Sequence, residues 1–257
     1  MVHVLGIHLF DRGLQQAIEE IAQVAIRAER RGFCVSATGA HGLVTCCQQP
    51  EFRRILSRFE INLPDGMPSV WIGKLKGARQ MQRCYGPDFF KGLIQYTRDM
   101  PVKHFFCGGK PAVAEELREA VGHKYGNFSI VGTYCPPFRE LTDHEWVSLG
   151  RQIQNSNVDI VWIGLSTPKQ EIFAQKLVKF CAVKFIITVG AAFDFHTGRV
   201  VQAPRLMQRL GLEWFFRLLV EPKRLWRRYF QIVPLFVYYN AREFFSFVLQ
   251  KKLPYQH

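Results

Sequence analysis

The chain has 257 residues, 48% of them hydrophobic, and its 34 Lys and Arg residues outnumber its 21 Asp and Glu residues. This length and apolar content allow a full hydrophobic core, which excludes an intrinsically disordered protein. The seven cysteines are scattered without a C-x-x-C spacing, so we expect reduced thiols in a cytosolic protein.

The N-terminal segment predicts a protein that remains inside the cell. It lacks the basic stretch followed by a long apolar stretch that marks a signal peptide. No stretch of about 20 residues is free of charged side chains, so we expect no membrane-spanning helix. The net charge of +13 is concentrated toward the C-terminus, since from Arg199 onward there are eleven Lys and Arg residues and three Glu residues.

Short apolar runs alternate with helical patterns over residues 1–200. The runs occupy residues 3–8, 32–37, 61–63, 102–107, 128–134, 158–164 and 183–189. Helix starts follow several of them, at the capping box Thr142 to Glu145, at Pro111 and at Thr167 to Gln170. Apolar strands alternating with amphipathic helices are typical of a mainly parallel sheet covered on both faces. The sequence therefore predicts a doubly wound, Rossmann-like α/β domain, whose ligands bind beyond the carboxyl ends of its strands.

Residues 201–257 differ from the rest of the chain, because they predict helices rich in aromatic and basic side chains and no further strand. We interpret them as a helical C-terminal appendage. Arginine and lysine among aromatic side chains suit an anionic membrane surface and also a diphosphate. A nucleic-acid-binding patch has the same composition, but the strand-end turns favour a small ligand, so we expect a membrane partner and no nucleic acid. The basic residues are Arg205, Arg209, Arg217, Lys223, Arg224, Arg227 and Arg228.

Two strand-to-helix turns carry candidate site residues. Asp65 follows the run 61–63 in a Pro-Asp-Gly turn, where it either projects into a site or has a local role, capping the next helix or making an Asx turn. Gly108, Gly109 and Lys110 form a Gly-Gly-Lys turn, whose glycines and helix amides would allow a phosphate to approach. The spacing is not that of a Walker loop.

A third turn runs from Gly164 through Pro168, Lys169 and Gln170. Gln170 either binds a base or a sugar hydroxyl, or reaches back to the start of its own helix, and the sequence leaves both interpretations open. His196, between Phe195 and Thr197, is interpreted as structural. No D-x-D pair and no zinc-type cluster of Cys and His occurs, so we predict a reaction without metal or cofactor.

Taken in chain order, the motifs resemble the WecG/TagA/CpsF family, glycosyltransferase family 26, from about residue 33 to 230. Each motif is modest alone, but their order along the chain is specific. They are Leu63-Pro-Asp-Gly66, Arg83-Cys-Tyr-Gly-Pro-Asp88, Gly108-Gly-Lys-Pro111, Ile130-Val-Gly-Thr133, Gly164 to Glu171, Val189-Gly-Ala-Ala-Phe-Asp-Phe195, Ala203 to Trp214, and Glu221 to Tyr229.

The resemblance implies an inverting, metal-independent glycosyltransferase of cell-surface polysaccharide synthesis. Its donor would be a UDP-sugar carrying N-acetylmannosamine, the corresponding uronic acid, or glucose, and its acceptor a polyprenyl-diphosphate-linked sugar. The enzyme would lie peripherally on the cytoplasmic face of the inner membrane. A non-catalytic nucleotide-sugar-binding protein of a polysaccharide assembly complex is the alternative, and the oligomeric state stays open.

The resemblance also implies roles for individual residues. Asp65 would be the general base, and appendage arginines would complete the site, with Arg224 and Arg227 as candidates. Members commonly have Thr-x-Asn after the second strand, whereas here Gly39 stands at the expected Asn position and Thr38 is the candidate to replace it, which leaves the choice of donor open. The positions expected to bind substrate are Thr38, Arg83, Gly108, Gly109, Lys110, Thr133, Gly164, Pro168, Lys169, Gln170, Asp194, Arg224 and Arg227.

Overall fold

The computed structural model describes residues 2–27 and 29–252, without the side chains of Arg209, Arg224 and residues 246–252. Strands and helices alternate through most of the chain. In chain order the elements are β1 (Val2–Val4), β2 (Ile7–Leu9), α1 (Leu14–Arg27), β3 (Phe33–Thr38), α2 (Ala40–Gln48), α3 (Pro50–Leu56), β4 (Ile61–Pro64), α4 (Met67–Leu75), α5 (Gly86–Tyr96), β5 (His104–Gly108), α6 (Val113–Tyr125), β6 (Ile130–Tyr134), α7 (Asp143–Asn155), β7 (Ile160–Gly164), α8 (Lys169–Leu177), β8 (Phe185–Thr188), α9 (Ala192–His196), α10 (Arg205–Arg209), α11 (Glu213–Val220) and α12 (Pro222–Lys252).

The central sheet has six parallel strands in the described part of the chain, in the order β4-β3-β8-β7-β5-β6. Alternate side chains of each strand enter two separate apolar layers. Trp162, on β7, packs with Phe90 and the helices α1, α5, α6 and α9, whereas Ile163 faces α2, α7 and α8. Helices therefore cover both faces, which confirms the predicted doubly wound α/β class. All six strands point their carboxyl ends at one edge.

The predicted strand over residues 3–8 is wrong in its form. The segment folds back on itself as the antiparallel hairpin β1–β2, because Leu5 and Gly6 both adopt positive φ, 51° and 78°. Two left-handed residues in succession make the tight turn typical of a two-residue hairpin. Phe10 then donates its amide to the carbonyl of Asn62 (2.9 Å), which holds the hairpin beside β4. The capping box at Thr142 is confirmed, with Glu145 completing it at the start of α7.

The C-terminal segment is helical, as predicted, but its long helix α12 also contributes to the core. Leu225, Ile232, Phe236 and Asn240 recur at helical spacing, and all four are buried where α12 packs along α2. Glu243 accepts a hydrogen bond from the amide of Leu5 (3.2 Å) and pairs with Lys76 (2.6 Å), which fixes the far end against the hairpin. Within the described ranges, none of the helices combines the length and the apolar run that crossing a bilayer requires.

Candidate active site

A cleft of about 870 Å³ opens at the carboxyl ends of the parallel strands. Its floor is made by the turns that follow β3, β4, β5, β7 and β8. One wall is the 136–141 segment with Trp146. Two arginines of the C-terminal helices α11 and α12 also line the cleft. The lining residues used below are Gly39, His41, Asp65, Gly109, Lys110, Gly164, Thr167, Lys169, Gln170, Lys176, Gly190, Asp194, Arg217 and Arg228.

Asp65 lies at the end of β4 and points into this cleft. Its amide donates to the carbonyl of Thr38 (3.1 Å), and its Oδ1 accepts a hydrogen bond from the amide of Gly86 (2.7 Å). Burial raises the pKa of Asp65 to about 6, against the lowering effect of Arg83 and of the Gly86 amide. The next helix, α4, is capped by Gly66 without any side-chain bond. The interpretation of Asp65 as a helix cap is therefore wrong.

Arg83 braces Asp65 from outside the cleft. Its Nε donates to the backbone carbonyl of Asp65 (2.8 Å), and its guanidinium lies over the ring of Tyr85, 4.0 Å from the centroid. It also forms an ion pair with Glu213 of α11. Arg83 thus links the C-terminal helices to the turn that carries the carboxylate, and it does not itself line the cleft.

The turn after β5 requires its two glycines. Gly108 and Gly109 have φ of +136° and +77°, and a Cβ on Gly108 would lie 2.6 Å from the carbonyl oxygen of Gly164. The amide of Gly109 donates to that same oxygen (2.9 Å), so the ends of β5 and β7 are held together. The helix α6 begins at Val113, two residues later than the predicted start at Pro111, because Ala112 takes a left-handed conformation. Gly109 and the exposed Lys110 line the cleft.

Gln170 joins the turns after β7 and β8. Its Nε2 donates to Thr167 Oγ1 (3.2 Å) and to Glu171 Oε1 (2.8 Å), while its Oε1 accepts from the amide of Gly190 (2.9 Å). Glu171 Oε1 also accepts from Ser36 Oγ (3.2 Å) and Thr167 Oγ1 (3.1 Å), and burial raises the pKa of Glu171. Both side chains are almost wholly buried. Gln170 therefore holds the floor of the cleft in place.

Comparison with known proteins agrees with the strand-end cleft and its motifs. The model of the glycosyl transferase WecG/TagA/CpsF family matches residues 2–248. The chain belongs to this family. It is also similar to the N-acetylglucosaminyldiphosphoundecaprenol N-acetyl-β-D-mannosaminyltransferase of Bacillus spizizenii, with 29% identity over 225 residues, covering 86% of this chain and 84% of the relative. The protein is thus a glycosyltransferase.

Several residues expected to bind substrate lie away from the cleft of the transferase. Thr38 is buried and donates to Ser36 Oγ (3.0 Å), and Thr133 donates to Glu115 (3.0 Å). Gly108 and Pro168 do not line the cleft, although their neighbours in sequence do. Gly164, Lys169 and Asp194 line the cleft. His196 is structural as predicted, because its ring nitrogens contact Tyr125 Oη and the Pro87 carbonyl (2.8 and 2.9 Å).

Of the two candidate appendage arginines, Arg227 does not line the cleft. Arg227 is exposed and its guanidinium lies over Trp226, 5.3 Å from the ring centroid, while the side chain of Arg224 lies outside the described residues. Among the described side chains of the appendage, Arg217, from α11, and Arg228, from α12, line the cleft. Arg217 Nε is buried and finds no hydrogen-bond partner in the described part of the chain. The sequence shows this basic cluster but not the phase of each helix, which decides the direction of each side chain.

His41, near Arg228, also lines the cleft and had no predicted role. Burial, with a smaller contribution from the charge of Arg228, lowers the pKa of His41 to about 4. The imidazole is therefore neutral at pH 7. Among the described residues, no group of three His, Cys, Asp or Glu side chains is placed to hold a metal ion.

Proposed function

We propose that the transferase moves a hexose-type sugar from a UDP-sugar to a polyprenyl-diphosphate-linked acceptor, with Asp65 as the general base. The observation that carries this proposal is the position of Asp65, a half-buried carboxylate at the strand edge of a cleft that also contains Arg217 and Arg228. The acceptor class is supported by the name of the Bacillus spizizenii relative, whose acceptor is a diphosphoundecaprenol-linked N-acetylglucosamine.

The proposed reaction is a single displacement with inversion. Asp65, ionised above pH of about 6, takes the proton of an acceptor hydroxyl while the hydroxyl oxygen bonds to the anomeric carbon. The bond between that carbon and the UDP oxygen breaks, and UDP leaves with the electron pair. A general base in such a step contributes about 10² to 10⁴-fold in rate.

The departing diphosphate needs positive charge, which we assign to protein side chains. Arg217 offers a buried Nε donor without a partner among the described residues, and Arg228 adds a second guanidinium. Lys110 and Lys169 stand at the turns after β5 and β7 on the cleft floor. Guanidinium groups bind diphosphate oxygens through paired hydrogen bonds, and in a partly dry cleft these bonds strengthen as charge develops. We propose that no metal is required for this reason.

The outer side of α12 supports a peripheral position on the membrane. Trp226, Phe230, Val233, Val237 and Phe244 are exposed and follow one another at intervals of three, four and seven residues, so they form one stripe along the helix. Exposed Lys223 and Arg227 flank it. An apolar stripe beside basic side chains is typical of a helix lying in an anionic interface. We propose the cytoplasmic face of the inner membrane, where nucleotide-sugars are available.

The decisive experiment measures UDP release from a panel of UDP-hexoses, with a synthetic polyprenyl-diphosphate N-acetylglucosamine acceptor and with chelator. We expect release that depends on acceptor with one donor, and a loss of about 10² to 10⁴-fold in Asp65→Asn. Asp99→Asn is the matched control, because Asp99 is exposed and lies outside the cleft. Full activity of Asp65→Asn would refute the base assignment. UDP binding without release from any donor would support the non-catalytic alternative.

A further inference from the structure

Asp65 lies between two glycines, Gly86 and Gly39, and the structure explains the need for glycine at only one of these positions. On one side, the amide of Gly86 bonds Oδ1 at 2.7 Å. A Cβ on Gly86 would stand 3.0 Å from the carbonyl oxygen of Val189 and 3.3 Å from Ala37 Cβ, so the neighbouring atoms would have to shift by a few tenths of an ångström. Glycine at position 86 therefore follows from the crowding around it.

On the other side of Asp65, neither the backbone conformation nor the surrounding atoms require glycine at position 39. Its φ of −100° and ψ of −173° are an extended conformation open to any residue. Among the described residues, a Cβ on Gly39 would meet only the Asp65 side chain, with Oδ2 at 3.6 Å and Cβ at 4.0 Å, which are ordinary contacts. Space and backbone geometry would both accept a larger residue.

Helix stability does not ask for glycine at this position either. Gly39 is the N-cap of α2, and that helix end has no side-chain cap. Serine, threonine, aspartate or asparagine at an N-cap bonds the free amides of the first turn, and stabilises a helix by a few tenths of a kcal/mol relative to glycine. The helix α2 thus has no side-chain cap at the position beside Asp65, and the absence of a side chain there leaves open space next to Oδ2.

The two oxygens of Asp65 are consequently unequal. Oδ1 is engaged by the Gly86 amide, whereas Oδ2 faces the space above Gly39, which lines the cleft. A general base must come within about 2.6–3.2 Å of the hydroxyl that it deprotonates. The oxygen available for that approach is Oδ2, and the approach passes over Gly39.

We infer that Gly39 is a specificity-determining position, which keeps open the path by which the sugar ring carrying the attacking hydroxyl reaches Asp65 Oδ2. The inference rests on the proposed function and adds the direction of acceptor approach. A methyl group at position 39 would occupy the contact distance of the incoming ring and displace its hydroxyl from the base. In this arrangement UDP binds at the turns after β5 and β7 and at the arginines, and it does not contact position 39.

The test compares Gly39→Ala with Gly66→Ala. Gly66 is also an extended N-cap glycine without a side-chain cap, but its added methyl would meet Pro68 Cδ at 3.6 Å and not the carboxylate. Initial rates with the synthetic polyprenyl-diphosphate N-acetylglucosamine give kcat/KM for the acceptor, and titration gives the Kd for UDP. We expect kcat/KM to fall about 10 to 100-fold in Gly39→Ala, since a displacement near 1 Å costs about this much. We expect Gly66→Ala to stay within about twofold, and the Kd for UDP to be unchanged in both.

Gly39→Ser separates blocked approach from misfolding. Serine restores the missing cap, so the melting temperature should equal or exceed that of the parent protein while kcat/KM for the acceptor still falls. Wild-type kcat/KM in both Gly39→Ala and Gly39→Ser would overturn the inference. Failure of the proposed function looks different, because Asp65→Asn would then transfer sugar at the parent rate.

Discussion

Replacing Asp65 with asparagine should make the protein more stable at neutral pH while it lowers the rate of transfer by about 10² to 10⁴-fold. Burial raises the pKa of Asp65 from 3.8 to about 6, so at acid pH the folded state holds a proton that the unfolded state has released. Stability is unaffected by this group below pH 3.8, falls as the pH rises toward 6, and stays lowered above it. The full penalty is about 3 kcal/mol at 1.36 kcal/mol for each pH unit. Water in the open cleft screens the charge, so we expect a gain of about 1–2 kcal/mol from the substitution.

Asparagine suits this test because its Oδ1 can still accept the hydrogen bond from Gly86 while the charge is lost. For a protein of this size, about 1 kcal/mol corresponds to about 2–4 °C in Tm. Thermal unfolding at pH 8 should therefore show Asp65→Asn melting about 2–8 °C above the parent. The gain should shrink at pH 5, and Asp99→Asn should show none. A variant that melts below the parent at pH 8, or a gain of equal size at both pH values, would refute the reasoning.

Three further predictions follow from the contacts around the cleft. Glu213→Gln removes a negative charge that raises the pKa of Asp65. The acid limb of the pH profile of kcat/KM, expected near pH 6 in the parent, should therefore move to lower pH. An unmoved limb would contradict the effect of Glu213 on Asp65. Glu171→Ala leaves buried donors of Ser36, Thr167 and Gln170 without their acceptor and should lower stability by about 1–3 kcal/mol. Glu171→Gln, which retains an oxygen, should lose less, and equal denaturation curves for the two variants would refute that role. Phe230→Ser combined with Val237→Ser should reduce sedimentation with anionic phospholipid vesicles at unchanged Tm, because both side chains are exposed; undiminished sedimentation would exclude this surface as the contact.

The parts of the fold that sequence predicted are those determined locally. The segment 160–164 is apolar on both faces, so it specifies a buried parallel strand wherever it lies in the sheet. The capping box at Thr142 and Glu145 is a contact within four residues. The hairpin at residues 3–8 was missed because its turn depends on Leu5 taking a positive φ, which a β-forming apolar run does not indicate.

In the site, too, the sequence predicted the features that depend on neighbouring residues and missed those that depend on distant ones. Asp65 was a candidate because it follows a buried strand, but its position alone also allowed a local role at the start of the next helix, and the role of base came from the resemblance to the family. The placement of Arg83 behind that residue, and not in the cleft, depends on Glu213, which lies 130 residues away. Arg217 and Arg228 were visible as a basic cluster, but Glu221 ends α11 and α12 starts anew at Pro222, so no single helical phase relates the two.

The two sides of α12 tie the chemistry of the cleft to the surface proposed for the membrane. One side buries Leu225, Ile232 and Phe236 against the α/β domain, and burial of each such side chain is worth about 1.5–3 kcal/mol. The same docking brings Arg228 to the cleft, while an adjacent side of the helix carries the exposed stripe. Removing the C-terminal helices would uncover core surface and delete two cleft arginines together. Such a protein would be inactive whether or not the helix contacts lipid, so only substitutions on the exposed stripe test membrane binding by itself.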